Sequence, residues 1–404
     1  MKKAIILIIS IIFPLFVISC TTAVISGKHT EDGRPMIWKL RDSDSFKNKM
    51  MYFETVKYSF IGLVNSEDAQ GEQVWGGSNV EGFSIMNSAS FNVNLKDTSS
   101  FKDQEGYFMR KALETCKTIH DFEELLENTP KPMGLAAHFG VIDAGGGAAF
   151  FEVNNYTFTK FDANDAAQAP QGYILRTNHS FTGKKDIGYG FIRLQTAKDI
   201  FYMAESKGQL NDKTIVQDFS HCFKHAVLNE DFREKYNVIP HGEHFINSGD
   251  FITRHGSASA ILMKAPAKNQ DTDMTCIWTT IAYPNTCVAL PVWPKGGADM
   301  PNILIADADK NCDLNNWAMQ LKEDCYPIKR SAGYKYLQIS NLINAEKTGY
   351  TQLVEKMENE IFKSTTIKEK LWINSAPSKS EIQEYYKSLN QKVSAFYQNN
   401  FDLK

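Results

Sequence analysis

Residues 20–44, CTTAVISGKHTEDGRPMIWKLRDSD, constrain this chain more than any other stretch. Thr21 to Thr30 is rich in β-branched residues, Glu31-Asp32-Gly33 is a hairpin turn signal, and Pro35 to Arg41 is a returning apolar strand. The spacing predicts two short strands whose first starts on Cys20 and whose second brings Asp42 back toward it. Ahead of them stand Lys2 and Lys3, a short apolar run broken by Pro14, and the small residue Ser19. That is the pattern of an export signal, too short and broken for a membrane-spanning helix. Cleavage between Ser19 and Cys20 leaves one residue with a thiol and a free α-amino group, whose ordinary pKa is near ~8. Nucleophile and base then share a residue. Val17-Ile18-Ser19-Cys20 also fits a bacterial lipoprotein signal, in which the same sulfur is diacylated and cannot attack. The two readings exclude each other on any one molecule.

The opening Cys20-Thr21-Thr22, the turn at Gly33 and the apolar run ending in Asp42 resemble the N-terminal nucleophile hydrolases with cysteine. The specific resemblance is to the acyl-coenzyme A:6-aminopenicillanate acyltransferase family and its relative choloylglycine (bile salt) hydrolase. It implies that Cys20 attacks an amide carbonyl and that Asp42 holds the α-amino group. The bile salt enzymes carry an arginine three residues before that aspartate, where this chain has Lys39, with Arg41 next to Asp42.

Three further motifs bear on the resemblance. Tyr173 to Ser180, YILRTNHS, reads as a strand with Asn178 at its exit. The family has a threonine-asparagine pair there, which implies that Asn178 and a backbone N–H form an oxyanion hole, a donor typically worth ~3 kcal/mol of barrier. In VWGGSNVEGFSIMNSAS, Gly77-Ser78-Asn79 and Gly82 read as a turn feeding an apolar strand that ends near Asn87. By resemblance Asn87 belongs to the active-site wall; on its own it is an asparagine bonding backbone at a strand end. Gly188 to Met203 reads as a helix with Ile192, Thr196, Ile200 and Met203 on its buried stripe. Arg193, near its start, lies by resemblance close to the nucleophile and by pattern alone on the solvent face.

Composition narrows the class. The chain has 404 residues, and loss of the leader with Lys2 and Lys3 moves its net charge from −3 to −5, so no nucleic-acid partner is expected. Ordinary charge with 12% aromatic residues describes a folded, globular protein. Beyond Cys20 there are Cys116, Cys222, Cys276, Cys287, Cys312 and Cys325, an even set that pairs or stays buried and reduced. Cys276 and Cys287 flank IWTTIAYPNT, which reads as a hairpin across which they could face each other, the alternative being buried reduced thiols. No CxxC spacing points to structural zinc. His221 and His225 stand four apart in what reads as the end of a helix capped by Asn211 or Asp212, but the glutamate of HExxH is missing, and His241-Gly242-Glu243-His244 is similarly incomplete.

Elsewhere Met51 to Asn65 reads as a strand-like run and Gln104 to Glu127 as two helices, the second near Thr118 and Asp121. Gly145-Gly146-Gly147 is a turn between strands, without the helix and lysine of a phosphate loop. Strands return from Ser257 to Trp293, and after Pro301 helical spacing dominates over Leu314 to Leu321, Tyr336 to Ile343, Leu353 to Ile361 and Ile382 to Phe396. We expect a leader at 1–19, a catalytic region at 20–330 and a helical extension at 331–404. The order of elements implies α+β; the four-layer αββα sandwich comes from the resemblance. The implied activity is cleavage or transfer at a linear amide of a small N-acyl substrate, through a Cys20 thioester, with no metal or organic cofactor. The expected location is the periplasm or outside the cell, and a homo-oligomer stays open. The alternatives are an outer-membrane lipoprotein of the same fold, without chemistry and held to the membrane through Cys20, and a zinc hydrolase built on His221 and His225.

Overall fold

In a computed structural model the protein is described over residues 19–235 and 238–403. Residues 1–18 of the expected 1–19 leader lie outside the described residues, so the export and lipoprotein expectations fall outside them. None of the described helices is long and apolar enough to cross a membrane.

The Cys20 segment does form a hairpin. Strand β1 (Thr21–Ile25) pairs antiparallel with β2 (Met36–Asp42). Its first strand is shorter than expected, because Ser26 caps a 3₁₀ turn at Gly27–His29. Next come β3 (Asn48–Phe53), β4 (Phe60–Asn65), β5 (Gly76–Asn79), β6 (Ser84–Ala89), β7 (Ala137–Ile142), β8 (Ala148–Val153) and β9 (Phe158–Asp162), a meander that makes one seven-stranded sheet in chain order. β10 (Tyr173–Arg176), β11 (Ser257–Lys264), β12 (Cys276–Thr280) and β13 (Leu290–Val292) join β1 and β2 in a six-stranded sheet ordered β10-β1-β2-β11-β12-β13. Every pairing in both sheets is antiparallel.

The two sheets stack face to face because each strand alternates its side chains between two buried faces. Gly140 on β7 makes the close approach possible: a Cβ there would lie 2.9 Å from Val24 Cγ2 on β1 and 2.3 Å from Met86 Cε. On the outer face of the meander pack α1 (Glu105–Thr115) and α2 (Ile119–Asn128), with Phe122 between Phe108, Phe139 and Phe151. Thr118 and Asp121 close a capping box at the start of α2. On the outer face of the other sheet lie α3 (Phe191–Ser206), α4 (Asp313–Cys325), α5 (Tyr350–Asn374) and α6 (Lys379–Phe401). Trp38 of β2 meets Phe201 of α3 at 6.1 Å, Trp278 of β12 stacks on Phe362 of α5 at 4.1 Å, and Trp293 stacks on Tyr386 of α6 at 6.0 Å. The architecture is thus a four-layer αββα sandwich with the C-terminal helices in one outer layer.

Several local expectations are corrected. Met51 to Asn65 is not one strand but parts of two, β3 and β4. Gly77-Ser78-Asn79 lies in strand β5 and the turn falls at Val80 to Gly82; Gly77 is glycine because a Cβ there would sit 2.3 Å from Ile61 O. The buried face of α3 is Arg193, Leu194, Thr196, Ala197, Phe201 and Ala204, and Met203 is exposed. Tyr336 to Ile343 is a short strand and a 3₁₀ turn, not a helix. Cys276 and Cys287 do not face each other: β12 pairs Ile277 with Val292, which carries Cys276 toward Trp293, and all seven cysteines are free.

Candidate active site

Cys20 immediately precedes β1 and is 3% exposed. Continuing the β1–β10 register beyond Thr22↔Arg176 sets Cys20 opposite Asn178. Arg193, two residues into α3, reaches back between them. Its Nη1 donates to Cys20 O at 2.5 Å and Thr21 Oγ1 at 3.0 Å, and its Nη2 donates to Asn178 Oδ1 at 2.9 Å. That contact fixes the amide of Asn178 with its nitrogen turned away, donating to Ala89 O at 2.9 Å. Gly190, just before the helix, has φ +83°, and a Cβ there would stand 2.4 Å from Arg193 Nη2. The turn needs glycine both for the left-handed backbone and for the folded-back guanidinium.

The same alternation that buries Trp38 and Leu40 against helices turns Lys39 and Arg41 the other way, on the side of Thr22. Lys39 Nζ donates to Asn87 Oδ1 at 2.6 Å and Trp75 O at 2.8 Å. Arg41 donates to Asn48 Oδ1 at 2.8 Å and Asn65 Oδ1 at 2.9 Å, with its guanidinium 4.8 Å from the Trp75 ring centroid. All of these partners are neutral. Burial therefore pushes Lys39 down to about 7, against the pull of Cys20 and with repulsion from Arg41. Burial likewise pushes Arg41 down to about 10 and Arg193 to about 9. Cys20, Lys39, Arg41, Asn87, Trp75 and Tyr189 line one cleft of about 810 Å³.

Asp42 points elsewhere. Its Oδ2 pairs with Arg254 Nη2 at 2.7 Å and its Oδ1 accepts from Ser257 Oγ at 2.7 Å. With Ser19, Arg193 and Arg254 it lines a second cavity of about 410 Å³, and it also borders the first. Of the five residues singled out by sequence, Cys20, Asn178 and Arg193 form one bonded group, Asn87, bonded to Lys39, lines the same cleft as Cys20, and Asp42 stands on the Ser19 side. Arg254, Ser257 and Gly190 were not anticipated. The first two are more than 200 residues from Asp42, and nothing local in the sequence signals that contact.

The histidine pair is also corrected. His221 lies in a turn and His225 in a short strand, so the helical i, i+4 geometry does not exist. His221 instead contacts Glu355 at 3.2 Å, and among the described residues no cluster of three or more His, Cys, Asp or Glu side chains is placed to hold a metal ion.

Two antiparallel sheets between helical layers, with a cysteine heading a central strand, define the N-terminal nucleophile hydrolases. Residues 29–238, just over half of the chain, match the family described as acyl-coenzyme A:6-aminopenicillanic acid acyl-transferase. The chain belongs to that family, whose chemistry concerns acyl groups on amide nitrogen. The match begins after Cys20 and takes in Asp42, Asn87, Asn178 and Arg193. Similar solved structures include a variant of conjugated bile acid hydrolase from Clostridium perfringens, at 12% identity and TM-score 0.37, covering 68% of this chain and 92% of that one. Others are the Caenorhabditis elegans ortholog of N-acylethanolamine-hydrolyzing acid amidase (14%, TM-score 0.36, 60% and 92%) and penicillin V acylase from Agrobacterium tumefaciens (12%, TM-score 0.36, 68% and 85%). No curated protein matches the chain significantly.

Proposed function

We propose that the protein is an exported hydrolase or acyltransferase of linear N-acyl amides whose nucleophile is Cys20, freed as the amino terminus by cleavage after Ser19. The observation that carries this reading is the three-way contact of Arg193 with the Cys20 carbonyl, Thr21 and Asn178 at the wall of a substrate-sized cleft. In the proposed reaction the α-amino group takes the thiol proton as sulfur bonds to the amide carbon. Asn178 uses one amide hydrogen on Ala89 and has a second for the alkoxide. Collapse breaks the C–N bond, the α-ammonium returns its proton to the leaving amine, and water or another amine resolves the thioester.

Asp42 has acceptor capacity beyond its bonds to Arg254 and Ser257 and shares a cavity with Ser19, which supports a role in holding the new α-amino group. Lys39 takes the place of the family arginine, bracing Asn87 in the cleft. Burial of Cys20 favours this reading over a lipid anchor, because acyl chains on its sulfur would have to fill the cleft instead of reaching a membrane. The test is mass spectrometry of the secreted, mature protein together with a panel of N-acyl amides. We expect an unmodified amino-terminal Cys20, amide cleavage in the periplasmic or extracellular fraction, and no cleavage by Cys20→Ser. A diacylglyceryl adduct on every molecule, or a Cys20→Ser variant as active as the parent, overturns it.

A further inference from the structure

The mechanism leaves unused a buried polar chain behind Asn178. His138 of β7 is fully buried and stands directly across from Ser88 of β6. Its Nδ1 lies 2.9 Å from Ser88 Oγ, and its Nε2 lies 2.8 Å from Ser180 Oγ. The Ser88 hydroxyl donates its one hydrogen to Thr177 O at 3.1 Å, so it accepts from the histidine, which fixes the proton on Nδ1. With the ring neutral, Nε2 accepts from Ser180, whose Oγ also lies 2.7 Å from the Ser90 hydroxyl. Burial pushes His138 toward the neutral form, consistent with that assignment. Thr177 and Ser180 bracket Asn178, and Ser88 and Ser90 bracket Ala89, the residue whose carbonyl receives the Asn178 amide.

One ring therefore holds both flanks of the segment. Glu152, paired across from His138 on β8, holds its continuation by accepting from Arg176 Nε at 2.6 Å, Phe181 N at 3.0 Å and Thr182 N at 2.8 Å. Asn92 adds bonds to Ser180 N at 2.7 Å and Ser180 O at 2.9 Å. The segment carrying Asn178 leaves regular pairing after Arg176, keeping an isolated bridge to Tyr189 and one bond from Phe91 N to Asn178 O at 3.3 Å. Side chains from the facing sheet supply most of its remaining ties.

We propose that His138 is a positioning residue: through Ser88 and Ser180 it sets where the Asn178 amide stands relative to the Cys20 sulfur. This rests on the reading of Asn178 as an oxyanion donor. A buried polar network that only stabilises the core makes a different set of predictions, because a displaced oxyanion donor acts on the transition state, whereas general loosening acts on stability.

The test uses the full mature enzyme with His138→Phe, which keeps a ring and loses both bonds, and His138→Gln, which has a donor and an acceptor. Expected are a fall in kcat of about 10- to 100-fold for His138→Phe with KM within about two-fold, and partial rescue by His138→Gln. In an Asn178→Ala background His138→Phe is expected to cause no further loss, since both act through one group. An equal fold-loss in that background, or an unchanged kcat with only a lower Tm, overturns the proposal. If His138→Phe fails to fold, Ser180→Ala removes one arm of the clamp and is read by the same criteria. If the parent cleaves no amide, the reaction reading fails, and the clamp is read directly from the side-chain amide hydrogens of Asn178, assigned by comparison with Asn178→Ala. Faster exchange of those hydrogens in His138→Phe supports the clamp, and unchanged exchange overturns it.

Discussion

The β1–β2 hairpin has two buried cations at each end, and the ends treat them differently. At the turn, Arg34 pairs with Asp32 at 2.6 Å and Glu369 at 3.3 Å, while Lys264, from the neighbouring β11, pairs with Asp212 at 2.5 Å and Glu369 at 3.2 Å. At the cleft, Lys39 and Arg41 have only asparagine and backbone oxygens. Burial opposes the charged form at both ends. At the turn the carboxylates outweigh it, so Lys264 and Arg34 hold their protons more tightly than usual. At the cleft nothing does, and Lys39 falls to about 7. The turn cluster fastens the C-terminal helix α5 to the core; the cleft pair is left for Cys20 and whatever enters beside it.

The largest effect expected is at the turn. Lys264→Met leaves Asp212 without its cation and Arg34 alone against Asp32 and Glu369, and should destabilise the fold by about 3–5 kcal/mol in urea unfolding. Lys39→Met removes a cation with no carboxylate partner and relieves repulsion on Arg41. Below about pH 7, where burying that charge costs stability, the variant should be at least as stable as the parent, while amide cleavage falls by about 100-fold. Equal destabilisation by the two substitutions breaks the comparison.

A smaller effect should appear with pH. Burial pushes folded Lys39 down to about 7, against roughly 10.4 in an unfolded chain. Between those values the unfolded state carries the extra proton, so stability should rise with pH, by at most about 1.4 kcal/mol per unit. The penalty is fully present below about pH 7. Lys264 has the opposite sign: its contribution is complete below the unfolded lysine pKa and is lost only as pH climbs through the raised folded value. Lys322, which burial also pushes down to about 7, adds a slope of the same sign. Denaturation midpoints from pH 7 to 10 should therefore rise less steeply in Lys39→Met than in the parent and keep the parent slope in Lys264→Met. An unchanged slope in Lys39→Met assigns it to Lys322 and the buried arginines.

What the sequence disclosed and what it hid follow the same division. The hairpin, the two helices after Gln104 and the strand ending before Asn178 were legible because β-branched runs, a capping threonine and turn glycines act over a few residues. The burial of Arg193 was legible only through resemblance, since helical spacing placed it on the solvent face; its burial depends on Gly190 and on Asn178 15 residues earlier. Asp42 with Arg254, Lys264 with Glu369 and His138 with Ser180 are pairings between segments far apart in the chain, each joining residues that no local pattern connects. Local chemistry sets strands and caps. Charge matching is decided by which distant segments the sheets bring together.

The smallest effect sharpens the comparison most, because it asks whether the neutral cage of Arg41 is structural. Asn65, on β4, offers its Oδ1 to Arg41 at 2.9 Å and is only half-buried. In Asn65→Ala the freed guanidinium N–H faces the cleft, where water can replace the lost acceptor, so the expected loss is about 1 kcal/mol or less. Asn48→Ala is the control: Asn48 is fully buried and also donates to Phe46 O and Ala258 O, both at 3.1 Å, so its removal strands groups that water does not reach. That loss should reach about 1–3 kcal/mol. Urea unfolding of the two variants should rank Asn48→Ala well above Asn65→Ala and both below Lys264→Met. A loss at Asn65 as large as that at Lys264 means that the amide cage holds the sheets together as firmly as the carboxylates do, and the cleft cations are then as structural as those at the turn.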